Sequence, residues 1–151
     1  MGLNEASIGN FMAKNDLSGD WGRRMSPSLD EMMSLAQTCF AHLPQKIRGL
    51  CNDVSIVVVD FPDEQLSDDM ELESPFELLG MFEGQGIGTR FAFEKGSTPN
   101  KMTLFRRAIL DYWAENEETL GEVINYVLIH EISQHFGLSD AEIEEIEASI
   151  V

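Results

Sequence analysis

The residues with the clearest chemical potential lie in the segment 130–140, near the end of the chain. Zinc peptidases place two histidines four residues apart on one helix, because about 100° of rotation per residue brings positions i and i+4 onto one face. A glutamate directly after the first histidine can accept a proton from the attacking water. In this chain His130 holds the first-ligand position, Glu131 the position of the base, and Gln134 the position of the second ligand.

A third ligand could come from beyond this helix. A turn at Gly137 would bring Asp140 back towards His130 and Gln134. Each residue also has a structural interpretation: His130 as a hydrogen-bonded histidine, Asp140 as support for a helix cap beside Ser139, and Gln134 as a buried amide. Zinc prefers imidazole, thiolate and carboxylate to a neutral amide oxygen. A site made of His130, Gln134 and Asp140 would therefore bind zinc weakly, bind another ion or stay empty.

The neighbouring His135 does not replace the missing histidine. It follows His130 by five residues, and about 100° per residue leaves it roughly 140° around the helix. We therefore expect His130, Gln134 and Asp140 to converge, and His135 to point elsewhere.

The helices that must position these residues are indicated by their caps. Three segments carry the Ser/Thr-x-x-Glu pattern of a capping box, and they begin at Ser28, Thr119 and Ser139. Apolar residues at helical spacing follow each one. We expect the first helix to end before Pro44 and the second to end at Gly137, where glycine suits a left-handed cap.

Short apolar segments lie between these helices. Val54 to Phe61 is β-branched and apolar and predicts a buried strand. Leu78 to Phe82, Thr89 to Phe93 and Met102 to Phe105 predict further short strands, and Asp63 to Pro75 reads as an acidic loop. A few strands between helices predict an α+β fold.

Composition limits the class of protein. Hydrophobic residues make up 43% of the 151, as in globular domains, and 10 Lys and Arg against 27 Asp and Glu give a formal net charge of -17. Such a surface repels phosphate, so we expect neither nucleic acid nor membrane as a partner. Only two cysteines and no signal-peptide pattern favour a cytoplasmic location. Residues 1–26 are interpreted as a flexible or surface-wrapping leader, and 27–151 as one domain.

The sequence resembles the bacterial zincin-like metallopeptidase family, whose motif is H-E-x-x-H-x-x-G-x-x-D. Outside the motif helix, the resemblance rests on the segments Pro27-Ser28-Leu29-Asp30, Leu43-Pro44, Val57 to Pro62, Ser74 to Gly84 and Thr103 to Arg107. It implies a compact fold in which the active-site helix packs on a small twisted sheet, with a zinc site in an adjoining cleft. Gln134 departs from the motif where the family has histidine.

Two functions follow from this resemblance. The first is a metallopeptidase, impaired by Gln134, with Glu131 as the general base and with zinc, if any, bound weakly by His130, Gln134 and Asp140. The second is a non-catalytic relative that binds a peptide or partner protein in the same cleft. Retention of Glu131 favours the first function, and Gln134 favours the second. The sequence leaves the substrate and the oligomeric state open.

Overall fold

Helices pack on a small mixed sheet in the computed structural model, which describes residues 21–51, 53–84 and 99–150. In chain order the elements are α1 (Leu29–Ala41), α2 (Gln45–Arg48), β1 (Val54–Val59), α3 (Glu64–Asp69), β2 (Gly80–Glu83), β3 (Asn100–Phe105), α4 (Arg106–Glu115), α5 (Leu120–His135) and α6 (Asp140–Ala148). This architecture is α+β, as the sequence predicted. Within the described ranges, every helix is too short or too polar to cross a membrane.

The sheet has three described strands in the order β1-β3-β2. β1 pairs with β3 in parallel, and β2 pairs with β3 antiparallel. Ile56, Met102 and Phe82 lie side by side across the three strands. Because side chains alternate along a strand, this row and its i+2 neighbours form one face, which lies in the hydrophobic core.

Three capping boxes set the amino-terminal ends of the main helices. In each box the Ser or Thr hydroxyl accepts a hydrogen bond from the backbone N–H of the glutamate, whose carboxylate accepts one in return from the cap residue's N–H. These bonds favour the charged form and lower the pKa of each glutamate. The three pairs are Ser28 with Glu31, Thr119 with Glu122, and Ser139 with Glu142. All three predicted helix starts are therefore confirmed.

The core lies between the sheet and two of these helices. α1 packs against β1, α5 packs against β2, and the two helices contact each other. Met32, Leu104, Leu128 and Ile132 are each 0% exposed at the centre of this contact. The predicted arrangement, a long carboxyl-terminal helix packed on a sheet containing β1, is confirmed.

Two predictions about the middle of the chain need correction. The expected loop from Asp63 to Pro75 contains α3, because the Asp63 side chain accepts from the N–H of Leu66 at 2.8 Å and caps a helix there. The expected strand Leu78 to Phe82 begins only at Gly80 and extends to Glu83. The expected strand from Thr89 to Phe93 lies outside the described residues.

The predicted leader is described only from residue 21. Trp21 and Met25 are largely exposed. The segment that follows is bound by the buried guanidinium of Arg106. Its Nε donates a hydrogen bond to Pro27 O at 2.6 Å, and its Nη2 donates one to Ser26 Oγ at 3.1 Å. Arg106 also donates to Asp60 Oδ1 at 3.0 Å, which ties this segment to the end of β1.

Gly80 lies where α5 comes closest to the sheet. A Cβ atom at this position would lie 2.7 Å from Val127 Cγ1 and 2.8 Å from Met102 Cε. Contacts this short require the helix or the side chains to shift.

We therefore expect Gly80→Ala to lower the free energy of unfolding by about 1–3 kcal/mol, as overpacked core positions do. Gly121→Ala is the matched control. Its Cβ would meet only Thr119 Oγ1, at 4.0 Å, and alanine favours the helix by about 0.5–1 kcal/mol. Urea denaturation of both variants measures the difference. Equal stability of Gly80→Ala and the parent would show that the contact between α5 and the sheet is not tight.

Candidate functional site

The motif helix presents one face to a small cleft. Residues 126, 130 and 134 follow one another at i+4 spacing on α5, and residues 127 and 131 lie beside them. Opposite them is the segment 77–79, which leads into β2. The cleft has a volume of about 170 Å³, and its lining consists of Glu77, Leu78, Leu79, Tyr126, Val127, His130, Glu131 and Gln134.

His130 is held by a carboxylate of the last helix. Its Nε2 lies 2.7 Å from Glu147 Oε1, within hydrogen-bond distance. Its ring packs on the ring of Tyr126, with 4.1 Å between the centroids. The His130 side chain is 28% exposed and that of Glu147 is 39% exposed, so the pair borders on solvent. Two neighbours on different helices thus fix the orientation of the imidazole.

Glu131 is half-buried in the same cleft. Burial raises the pKa of its carboxyl group, and the charge of His130 opposes that rise. A carboxylate that is partly removed from water is a stronger proton acceptor than an exposed one. The residue at the predicted position of the base is therefore a half-buried carboxyl group with a raised pKa.

The other two predicted ligands are less well placed. Gln134 lines the cleft but its side chain is exposed, so the interpretation as a buried amide is wrong. Gly137 adopts φ 72° and reverses the chain after α5. Asp140 is then the exposed first residue of α6, where Ser139 provides the cap. The lining of the described cleft includes His130 and Gln134 but not Asp140.

His135 belongs to a different contact. Its Nε2 lies 3.2 Å from Gly84 O, at the end of β2, and its ring centroid is 4.7 Å from that of Phe82. It does not line the cleft beside His130. The expected divergence of the two histidines on α5 matches this geometry.

The described donors do not fit a zinc ion. No three His, Cys, Asp or Glu side chains in residues 21–51, 53–84 and 99–150 lie close enough together to hold a metal. A histidine binds zinc through the lone pair of one ring nitrogen, and Nε2 of His130 faces the Glu147 carboxylate at 2.7 Å, which leaves only its Nδ1 for an ion. Gln134 adds only a neutral amide.

Two residues of the site were missed by reasoning from the sequence. Tyr126 precedes His130 by four residues, and this spacing could have identified it as a neighbour on the helix face. Glu147 has no comparable local signal. It reaches His130 only because α6 packs back along α5, which places residues that are 17 positions apart in contact.

A helix with His-Glu at the start of its motif, packed on a small mixed sheet beside a cleft, is the arrangement that the zincin class predicts. A family model described as zincin-like metallopeptidase matches residues 51–150. Because this match covers most of the chain, the protein belongs to the zincin-like metallopeptidase family. A comparison with curated proteins finds no match.

The pairing of His130 with Glu147 can be measured by a double-mutant cycle. We expect His130→Ala and Glu147→Ala to show a coupling energy of about 0.5–1 kcal/mol in urea denaturation, because the pair is partly exposed. Glu144, an exposed carboxylate that lies on α6 like Glu147, provides the control. The cycle of His130→Ala with Glu144→Ala should give no coupling energy. Equal coupling in the two cycles would contradict a specific contact.

Proposed function

We propose that this protein is a non-catalytic member of its family, which uses the cleft beside α5 to bind an extended segment of a peptide or partner protein. The observation that carries the proposal is the contact between His130 Nε2 and Glu147 Oε1 at 2.7 Å. One of the two ring nitrogens at the first-ligand position thus already has a carboxylate of the same chain as its partner. Gln134, at the second-ligand position, offers no imidazole.

The shape of the site supports peptide binding. A volume of about 170 Å³ is smaller than the roughly 300–1,000 Å³ of sites that enclose a whole small molecule. It suits a side chain of a peptide whose backbone lies outside the cleft. β2 is at an edge of the three described strands and packs against α5. An extended peptide can add to such an edge through backbone hydrogen bonds, whether or not a metal is present.

Restoring the second histidine tests the explanation of Gln134. Gln134→His would place two imidazoles at i and i+4 on α5, and we expect zinc to bind about a hundredfold more tightly than to the parent. Titration calorimetry and metal analysis of the purified chains measure this. A zinc-dependent rise in melting temperature should accompany the gain, because the ion binds only the folded state.

The control for this experiment is Gln134→His combined with His130→Ala. It keeps the new histidine but removes its partner, so the gain in zinc affinity should be lost. Equal zinc affinity in the parent and in Gln134→His would show that position 134 is not a lost ligand position. Tight zinc binding by the parent would overturn the non-catalytic proposal directly.

Metal-dependent peptide hydrolysis is a second candidate, favoured by one observation. Glu131 lines the cleft next to His130, and burial raises its pKa. A protein that only binds peptides has no chemical need for a carboxylate in this position. In this alternative Glu131 would accept a proton from the attacking water and donate it to the leaving amine.

Glu131→Gln distinguishes the two functions. The amide keeps the size of the side chain but cannot accept the proton. Under the non-catalytic proposal, the parent and Glu131→Gln should cleave a mixture of fluorogenic peptides at the same background rate, with or without added zinc. If the parent is active and the variant loses about a hundredfold or more of that activity, as removal of a general base implies, hydrolysis is the function.

A further inference from the structure

A second concave surface lies between α5 and the end of α6. It is a groove of about 430 Å³, and it is lined by Glu122, Asn125, Tyr126, Ile129, Glu147 and Ile150. Tyr126 and Glu147 connect it to the site described above, because Tyr126 also lines the cleft and Glu147 holds His130. The groove shares only Tyr126 with the lining of the cleft and has a larger volume, so it can bind a different ligand from the cleft.

Three of the residues that line the groove are apolar or aromatic. Ile129 is 1% exposed, whereas Tyr126 is 43% exposed and Ile150 is 37% exposed. Exposed isoleucine and tyrosine facing one groove form a surface that gains free energy when an apolar side chain covers it. Its volume lies within the range of ligand-binding sites.

The border of the groove carries negative charge. Glu122 and Glu147 line it. The phenol of Tyr126 has a raised pKa, first because of burial and then because nearby groups, Glu147, Glu118 and Glu131 among them, disfavour the phenolate. The sequence after Arg107 contains eleven acidic residues and no Lys or Arg. Helices α5 and α6 therefore bring no Lys or Arg of their own to balance this charge.

We propose that this groove binds a segment of a partner protein that presents apolar side chains flanked by Lys or Arg. The apolar side chain would cover Tyr126 and Ile150, and the cations would pair with Glu122 and Glu147. Charge complementarity selects this partner, because an acidic segment or a phosphate backbone would be repelled. The proposal does not depend on whether the cleft cuts, binds or ignores peptides.

Three blocked peptides test the chemistry of the partner. Acetylated and amidated Lys-Leu-Leu-Lys provides both features, Glu-Leu-Leu-Glu reverses the charge, and Lys-Gly-Gly-Lys removes the apolar side chains. In amide NMR titrations of the full chain at low salt, we expect the first peptide to bind about tenfold more tightly than either control. The shifted amides should be those of Asn125, Tyr126 and Ile150.

Charge variants separate the groove from general attraction to an acidic protein. Glu147→Lys and Glu144→Lys have the same net charge, but only Glu147 lines the groove. We expect Glu147→Lys to weaken binding of Lys-Leu-Leu-Lys about tenfold and Glu144→Lys less than about twofold. Glu147→Gln, which is less disruptive, should weaken binding by an intermediate factor. Equal weakening by the two lysine variants would overturn the proposal.

An apolar pair of variants tests the other half of the site. Ile150→Ser removes a groove residue, and Met70→Ser removes an apolar side chain that is also exposed but lies elsewhere. Only Ile150→Ser should weaken binding, by about threefold or more. Amide shifts centred on Met81 and Lys101 of the sheet would place the peptide elsewhere and overturn the proposal. The proposal would also be overturned if the groove amides shift when the chain is diluted without peptide. Such shifts would identify a second copy of the chain as the occupant of the groove.

Discussion

The close contact between α5 and the sheet determines where the functional residues lie. Gly80 has no side chain, so Val127 and Met102 occupy the space that a Cβ atom would take. Leu128 and Ile132, on the buried side of α5, are then fully enclosed. With that side fixed against the core, the helical period places His130, Glu131 and Gln134 at the border between core and solvent. The packing of apolar side chains thus orients the polar ones.

The environment of His130 follows from the same packing. Gly137 reverses the chain after α5, and Ile143 and Ile146 of α6 are buried in the core. Glu147 comes directly after Ile146, at the edge of the buried stripe, and from there it reaches the imidazole. The contact between His130 and Glu147 is therefore a consequence of how α5 and α6 pack on each other.

Features specified by neighbouring residues could be predicted from the sequence, and features specified by tertiary contacts could not. The three capping boxes and the strands β1 and β3 depend on local patterns, and they were predicted within two or three residues. α3 was missed because its acidic residues were read as a loop, although Asp63 is an effective cap. The position of Gln134 in the cleft follows from helical spacing. Glu147 could not be predicted, because no local pattern fixes the register of α6 on α5.

The acidic surface connects the site with the rest of the molecule. A carboxylate that loses water needs a compensating cation or hydrogen-bond donor, and the sequence supplies no Lys or Arg after Arg107. Arg106 and Arg107 both contact Asp60, at the end of β1, and so serve the sheet. For Glu147, the imidazole of His130 is the partner that packing brings within reach. Because α5 and α6 contain no Lys or Arg, the packing of these helices pairs Glu147 with an imidazole at 2.7 Å rather than with a strong cation, and the acidic surface around them favours cations from outside the chain.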